Sequence, residues 1–122
     1  MRHQKIGRKF GRTRKVRKAM LKTMLGSLIM CERISTTEAK AKELKRLIDP
    51  LVNKAKKARL DEVVRLSMVR ELHALLPKMA ADKLNSEFSD RFSARTSGYV
   101  RVVKLEARKS DAAKLAIIEF VS

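Results

Sequence analysis

The sequence predicts one α+β domain preceded by an extended basic arm. Apolar residues recur at the helical spacing of three and four over most of the chain up to about residue 90. Two later segments are instead rich in β-branched and apolar residues, as strands are. A length of 122 residues suits a single compact domain. We therefore expect a helix, a short strand, three helices and a final β-hairpin, which together form a helical layer on a small three-stranded sheet.

The arm, residues 1–13, is predicted from its charge, and residues 14–122 are predicted to form the domain. Residues 1–31 contain ten Lys and Arg residues and no acidic residue, and residues 1–18 contain only four apolar residues. Such a segment repels itself and cannot bury a core, so it stays extended in isolation. Its partner is expected to be an anion outside the chain.

Helix one is predicted over residues 14–31, with Thr13 as its cap. Its apolar stripe is broad, which predicts a helix that is covered on more than one side, in the middle of the domain. Gly26 inside a helix costs about 1 kcal/mol against Ala, so another element is expected to approach closely there. The stripe consists of Val16, Ala19, Met20, Leu21, Met24, Leu25, Leu28, Ile29 and Met30.

A short strand around Ile34 and a second helix are predicted next. Ser35 and Glu38 have the spacing of a capping box at the start of that helix, and Pro50 is expected to kink or divide it. Asp61 is a candidate cap for helix three, over residues 62–76.

Helix four is predicted over residues 78–90, after Pro77, with Met79 and Phe88 among its apolar residues. We expect all six Met residues to lie in the core. Residues 92–98 read as a loop in which Gly98 supplies backbone freedom. Residues 99–106 and 114–121 are predicted to form an antiparallel hairpin, with Ser110 and Asp111 at its turn.

The charge of the chain points to a polyanionic partner. The net charge is +17, with a pI near 10.7, and residues 32–122 alone still carry twenty basic and thirteen acidic residues. Nucleic acid is the leading partner class and an anionic membrane surface the second. No apolar run is long enough for a secretory signal or a membrane span, so membrane insertion is not expected.

Catalysis finds little support in the sequence. His3 and His73 are far apart, and no Gly-rich phosphate loop or close metal-ligand spacing is present. Cys31 is the only cysteine, which excludes an intramolecular disulfide and a Cys-based zinc site. We expect Cys31 to be a small buried hydrophobe, and the protein to be no enzyme, with no cofactor and no small-molecule substrate.

The amino-terminal segment supplies the first set of candidate nucleic-acid contacts. Positive charge in the first turns of helix one opposes the helix dipole, and a bound phosphate would reverse that effect by meeting the free N–H groups as well. His3 or Phe10 could stack on an unpaired base. The candidates are Arg2, His3, Lys5, Arg8, Lys9, Phe10, Arg12, Arg14, Lys15, Arg17, Lys18 and Lys22.

A second set of basic residues lies around the predicted hairpin, with aromatic residues between them. It has two interpretations on physical grounds: further contacts to nucleic acid, or an exposed sheet edge that is protected by charge. The candidates in this set are Arg91, Arg95, Tyr99, Arg101, Lys104, Arg108 and Lys109.

Several blocks of the sequence, spread from end to end, form a recognisable series. The blocks are Met1-Arg2-His3, Phe10-Gly11-Arg12-Thr13, Arg17-Lys18-Ala19-Met20, Ser27-Leu28-Ile29, Glu32-Arg33-Ile34, Thr36-Thr37, Ala39-Lys40-Ala41-Lys42-Glu43-Leu44, Arg91-Phe92, Gly98-Tyr99-Val100-Arg101-Val102, Asp111-Ala112-Ala113 and Ala116-Ile117-Ile118-Glu119. In this order they resemble the bacterial large-subunit ribosomal protein seventeen family.

The resemblance implies the same order of helices and strands as the periodicity predicts. It also implies a structural component of the large ribosomal subunit in the cytoplasm, which binds the large-subunit (23S) rRNA near the polypeptide exit region beside other ribosomal proteins. The alternative is a DNA-binding architectural protein of the nucleoid type. Such a protein would have a similar charge but would need a dimer and an arm or wedge for the minor groove.

Overall fold

A computed structural model describes residues 7–121 of the chain. The element order confirms the predicted α+β class, with a helical layer and a three-stranded sheet. The elements are α1 (Arg14–Cys31), β1 (Arg33–Thr37), α2 (Glu38–Leu60), α3 (Glu62–Leu75), α4 (Lys78–Leu84), a 3-10 helix (Glu87–Phe92), β2 (Val100–Lys104) and β3 (Leu115–Phe120). The candidates Arg2, His3 and Lys5 lie outside the described residues.

The sheet has the strand order β1-β3-β2, and both pairs are antiparallel. Ile118 on the central strand β3 pairs with Ile34 on β1 and with Val102 on β2, which confirms the predicted third strand and the hairpin. Alternate residues of β3 are buried, and the helix α2 packs against this face. Gly98 has a φ of +68°, so the loop before β2 uses a backbone conformation that favours glycine.

The helix α1 has the predicted bounds, but its predicted place in the middle of the domain is wrong. Only Leu25, Gly26, Leu28 and Ile29 are buried, while Val16 near its start is 52% exposed. The first half is crowded with cationic side chains, which a domain cannot cover without desolvating them. The central helix is α2, which has eight buried residues and contacts α1, α3 and the sheet.

Gly26 confirms the predicted close approach of another element. A Cβ atom at this position would lie 2.6 Å from Cγ of Pro77, at the start of α4. The absence of a side chain at Gly26 therefore lets α4 pack directly against the backbone of α1.

The predicted capping box at the start of α2 is wrong. Ser35 lies within β1, where it pairs with Ile117, and the capping residue is Thr37, whose side chain makes no capping hydrogen bond. The backbone N–H of Glu38 instead donates to the carbonyl of Lys114 at 2.9 Å, so the sheet satisfies it. Pro50 does not divide α2, which runs unbroken for 23 residues.

Helix four is shorter than predicted, since α4 ends at Leu84 and a 3-10 helix follows. The 3-10 helix places Phe88 and Phe92 in a cluster of rings with Tyr99 and Phe120, at centroid distances of 5.0 to 5.6 Å. These rings fill the core at this end of the sheet.

The prediction that all six methionines lie in the core is wrong. Met79 is 69% exposed and Met30 is 41% exposed. Cys31, the last residue of α1, is also exposed, contrary to its predicted burial. Helical spacing of an apolar residue therefore does not by itself show that the residue is buried, because some apolar residues lie on exposed faces of their helices.

Candidate nucleic-acid interface

The described part of the arm turns before it enters α1. The N–H of Arg12 donates to the carbonyl of Lys9 at 3.2 Å, and Phe10 and Gly11 both have positive φ angles. Thr13 then caps the helix, as predicted, because its hydroxyl accepts from the N–H of Val16 at 3.5 Å. This turn fixes the direction in which the basic side chains leave the start of α1.

The basic residues of the arm and of the first turns of α1 form one exposed surface, which we call the amino-terminal basic cluster. It consists of Arg8, Lys9, Arg12, Arg14, Lys15, Arg17, Lys18 and Lys22, and all of these except the half-buried Arg17 are exposed. Within residues 7–121, none of the eight forms an ion pair with a carboxylate. The first turn of α1 contains no acidic residue either.

The basic residues around the hairpin, the carboxy-terminal basic cluster, are Arg91, Arg95, Arg101, Lys104, Arg108 and Lys109, and four of them have carboxylate partners. The pairs are Arg91 with Glu32, Arg101 with Glu119 at 2.7 Å, Lys104 with Glu38 at 3.7 Å and Arg108 with Asp111 at 2.9 Å. Most of this cluster is therefore engaged in ion pairs within the fold.

These ion pairs lower the pKa values of two of the acidic partners. The hydrogen bond from Arg91 holds the pKa of Glu32 below its usual value, and Lys83 adds to the effect. In the same way, the hydrogen bond from Arg108 lowers the pKa of Asp111. Because β2 is an edge strand, the observed pairing agrees with the interpretation of a charge-protected edge at Arg101 and Lys104.

Tyr99 is a core residue, and the prediction that it contacts nucleic acid is wrong. Its side chain is fully buried, its hydroxyl donates to Oδ1 of Asn53 at 2.5 Å, and it accepts from Nζ of Lys56 at 3.0 Å. A ring that is enclosed by Phe92 and α2 has no face left for a base. Phe10 is only half-buried and stays a candidate for stacking.

A cavity at the start of α2 brings two basic residues that sequence reasoning missed next to the candidate Arg8. It has a volume of about 310 Å³, and Arg8 from the arm lines it together with Lys42 and Lys114. Glu38 lies in the same place, 2.8 Å from Lys42, and that hydrogen bond lowers the pKa of Glu38. Lys42 could have been found from its four-residue spacing to Glu38, but Lys114 is brought there only by the pairing of β3 with β1.

Two further observations limit what the described residues can do. None of the helices within residues 7–121 has the length and apolar character that crossing a bilayer requires. No group of three His, Cys, Asp or Glu side chains in this part of the chain is placed to hold a metal ion.

Comparison with known sequences assigns the family. A sequence model described as Ribosomal protein L17 matches residues 20–121. Three curated relatives carry the name Large ribosomal subunit protein bL17. The relative from Thermodesulfovibrio yellowstonii is 48% identical over 121 residues, which is 99% of this chain and 87% of the relative.

The relative from Sorangium cellulosum is 39% identical over 145 residues, covering 99% of this chain and 83% of the relative. The relative from Chloroherpeton thalassium is 42% identical over 122 residues, covering 99% and 69%. The family match runs from α1 to the end of β3, and the relatives align with almost the whole chain. The chain therefore belongs to the ribosomal protein L17 family, a family of structural proteins of the large ribosomal subunit and not a class of enzymes.

Proposed function

We propose that this protein binds the large-subunit (23S) rRNA and stabilises its folding near the polypeptide exit region, in support of translation in the cytoplasm. Family membership supports the ribosomal setting, and the likeness of the sequence blocks to the family supports the exit region and the neighbouring ribosomal proteins. The observation that carries the rRNA contact is the amino-terminal basic cluster, in which eight cations have no carboxylate partner in the described residues.

The mechanism is neutralisation of phosphate groups at the start of α1. Each Lys or Arg that replaces a condensed counter-ion on the rRNA releases that ion, which favours binding at low salt. The free N–H groups of the first turn and the helix dipole attract the same phosphates. Contacts of this kind position the protein and hold rRNA helices together without reading their sequence.

We assign residues to the rRNA contact according to whether they already form an ion pair with a carboxylate of the protein. The amino-terminal basic cluster supplies the main contacts, with Arg2, His3, Lys5 and Phe10 from the arm. Arg95 and Lys109 are secondary candidates, because no carboxylate partner is found for them within residues 7–121. Arg91, Arg101, Lys104 and Arg108 contribute less, since binding a phosphate would compete with an existing ion pair.

The DNA-binding alternative is not favoured. Family membership supports a place in the large ribosomal subunit.

Sedimentation of cell extracts at physiological salt tests the proposed function. We expect the tagged protein to sediment with the large subunit and with complete ribosomes. Recovery only in free fractions, or with chromosomal DNA, would overturn the proposal.

A pair of double variants tests which cluster contacts rRNA. Arg17→Gln with Lys18→Gln and Arg101→Gln with Arg108→Gln remove the same formal charge from the two clusters. We expect the first pair to weaken binding to 23S rRNA more, and to reduce the slope of log affinity against log salt by about 0.7–0.9 for each lost phosphate contact. Equal losses in the two pairs would contradict the assignment of the main contact to α1.

A further inference from the structure

A groove between α1, α2 and α3 combines an apolar floor with a cationic rim. We call it the leucine groove; its volume is about 420 Å³. Its lining residues include Lys18, Lys22 and Lys54 on the rim and Leu21, Leu47 and Leu75 on the floor. Three of these residues are basic, none is acidic, and the others are apolar.

The floor of the groove is accessible to a partner. Leu75 is 45% exposed there, and Leu21 and Leu47 are only partly buried, although these last two pack against the core. Apolar surface of this kind is stabilised when another apolar side chain covers it.

The rim of the groove carries positive charge that the described residues do not balance. Lys18 and Lys22 are four residues apart, so they lie on one face of α1, and neither has a carboxylate partner within residues 7–121. Lys54 on the opposite wall, in α2, pairs with Glu71 at 3.0 Å. An occupant of the groove therefore meets two free cations on the α1 side.

Charge and polarity together select the occupant. A nucleic-acid backbone would place phosphates over a leucine floor that offers them no hydrogen bonds, and the groove has no aromatic residue on which a base could stack. A second copy of this chain carries a charge of +17, and the amino-terminal residues Arg2 and Lys5 are cationic too, so both are repelled by the rim.

We propose that the leucine groove docks an acidic amphipathic helix of a neighbouring protein in the large subunit. Aliphatic side chains of that helix enter the groove, and its carboxylates pair with Lys18 and Lys22, in the manner of helix-in-groove recognition. In the assembled subunit this leaves the other six cations of the amino-terminal basic cluster for the rRNA contact. This inference rests on the proposed ribosomal function for the source of the helix. It adds a protein-binding surface that uses the core side of α1, next to the rRNA-binding start of the same helix.

Binding of a synthetic peptide to the full-length protein tests the groove. The probe is a labelled helix of about 15 residues with leucines along one face and glutamates beside them, a length at which isolated helices become stable. Its matched controls replace the leucines by serine at constant charge, or the glutamates by lysine. We expect fluorescence anisotropy to detect binding of the first peptide only; binding of the serine peptide with equal affinity would show plain charge attraction and overturn the proposal.

Two variants of α3 locate the binding. Leu75→Glu places a carboxylate in the groove, and Leu66→Glu makes the same change at a 60% exposed position of α3 that does not line it. We expect Leu75→Glu to weaken peptide binding by about tenfold or more, while Leu66→Glu leaves it unchanged. Equal affinities in the two variants would place the peptide elsewhere and contradict the inference.

Charge reversal on the rim gives a second, independent comparison. Lys22→Glu should abolish peptide binding, whereas Lys45→Glu on an exposed position of α2 outside the groove should not. Both variants keep a long polar side chain on an exposed helix position, so circular dichroism should show the same fold. Retained binding in Lys22→Glu would contradict the role of the rim.

Photo-crosslinking in the assembled large subunit separates this inference from the proposed function. A photoreactive residue at Ala74, in the groove, should capture an acidic segment with aliphatic residues from one neighbouring protein, and one at the exposed Ser67 should not. Capture of rRNA at Ala74, or of no partner, would overturn the groove proposal while the protein still sediments with the subunit. Failure to sediment with the subunit would instead count against the proposed function.

Discussion

Glu32 connects the end of α1 with α4 and with the 3-10 helix. It follows α1 with a φ of 63°, and its side chain accepts hydrogen bonds from Arg91 and, at 3.4 Å, from Lys83 on α4. The guanidinium of Arg91 also lies 5.1 Å from the ring centroid of Phe88, which it covers. Arg91 is thus held by the fold, which is why it ranks low among the rRNA contacts.

The pKa of Glu32 makes this link sensitive to acid. Because the folded state lowers that pKa, the ion pairs add stability above the ordinary glutamate pKa of about 4.3, and they lose it as the pH falls through the lower folded pKa. Glu32→Gln should therefore cost up to about 1 kcal/mol at pH 7, as partly exposed pairs do, and nothing in strong acid. Urea unfolding across this pH range measures the difference.

The matched control for Glu32 is Glu106→Gln, in a segment where Glu106 is exposed and has no ion pair among the described residues. Its effect on the free energy of unfolding at pH 7 should be small. A penalty for Glu32→Gln that stays constant from neutral to acid pH would contradict the role of its charge.

Gly26 tests the contact between α1 and α4. Gly26→Ala gains helix propensity of about 1 kcal/mol, yet its Cβ would lie 2.6 Å from Pro77, and overpacking of this kind costs about 1–3 kcal/mol. We expect a net decrease in the free energy of unfolding, which urea unfolding monitored by circular dichroism measures. Ser27→Ala on the exposed side of the same helix should not destabilise the protein, and a stabilised Gly26→Ala variant would show that Pro77 can move aside.

At the scale of elements, α1 has two halves with different partners. Its end is buried against α4 and β1, whereas its start consists of exposed cations beside the positive end of the helix dipole. The start is therefore unfavourable in the free protein, and the rRNA contact that we propose would make it favourable. In that case, function at this end of α1 is gained at the expense of the stability of the isolated chain.

Because the charges at the start of α1 oppose folding and favour the proposed rRNA contact, removing them should raise stability and lower rRNA affinity in the same variant. Replacing Arg14 and Lys15 by Gln should raise the free energy of unfolding by about 0.3–1 kcal/mol for each charge, and should weaken binding to 23S rRNA. Thermal unfolding and filter binding measure the two effects. Lys57→Gln, in the last turn of α2 where a cation is favourable, should lower stability instead; a stability loss in the α1 variant would contradict the dipole argument.

Elements with local signals could be predicted from the sequence. The bounds of α1 follow from Thr13 and the apolar period, and the cap Asp61 of α3 is confirmed, since its side chain accepts from the N–H of Val63 at 2.9 Å. Elements that depend on distant partners could not. Ser35 has the spacing of a helix cap, but pairing with Ile117 keeps it in a strand, and the helix begins only after Thr37.

The candidate site also has one part that local sequence signals predict and one part that depends on tertiary packing. The amino-terminal basic cluster could be predicted because its charge is local and lacks nearby acids. The carboxy-terminal basic cluster could not be ranked, because Arg101 meets Glu119 only through the register of β2 with β3, and Tyr99 is buried only by the packing of α2 and the ring cluster. Which cations are free is a property of the tertiary structure.

At the scale of the whole molecule, the amino-terminal basic cluster has no carboxylate partners within residues 7–121, whereas the rest of the described chain contains the core and its ion pairs. We therefore expect rRNA binding and folding to depend on different parts of the chain. Deletion of residues 1–12 removes five cations and keeps Thr13, the cap of α1. Gly7 and Arg8 lie close to residues of α2, but the hydrophobic core of the described residues lies wholly within residues 21–120, so we expect the body to stay folded by circular dichroism. The same deletion should weaken 23S rRNA binding and reduce its salt slope by up to about four.

A full-length variant with the five arm cations changed to Gln provides the control for this deletion. If charge is what the arm contributes, this variant and the deletion should lose the same salt slope, because counter-ion release depends on the number of phosphates neutralised. A deletion that loses affinity with an unchanged slope would show that the arm contacts rRNA through His3 or Phe10 and not through phosphates. Loss of the helical signal on deletion would instead show that the arm is part of the domain, since α1 would then depend on residues that precede its cap.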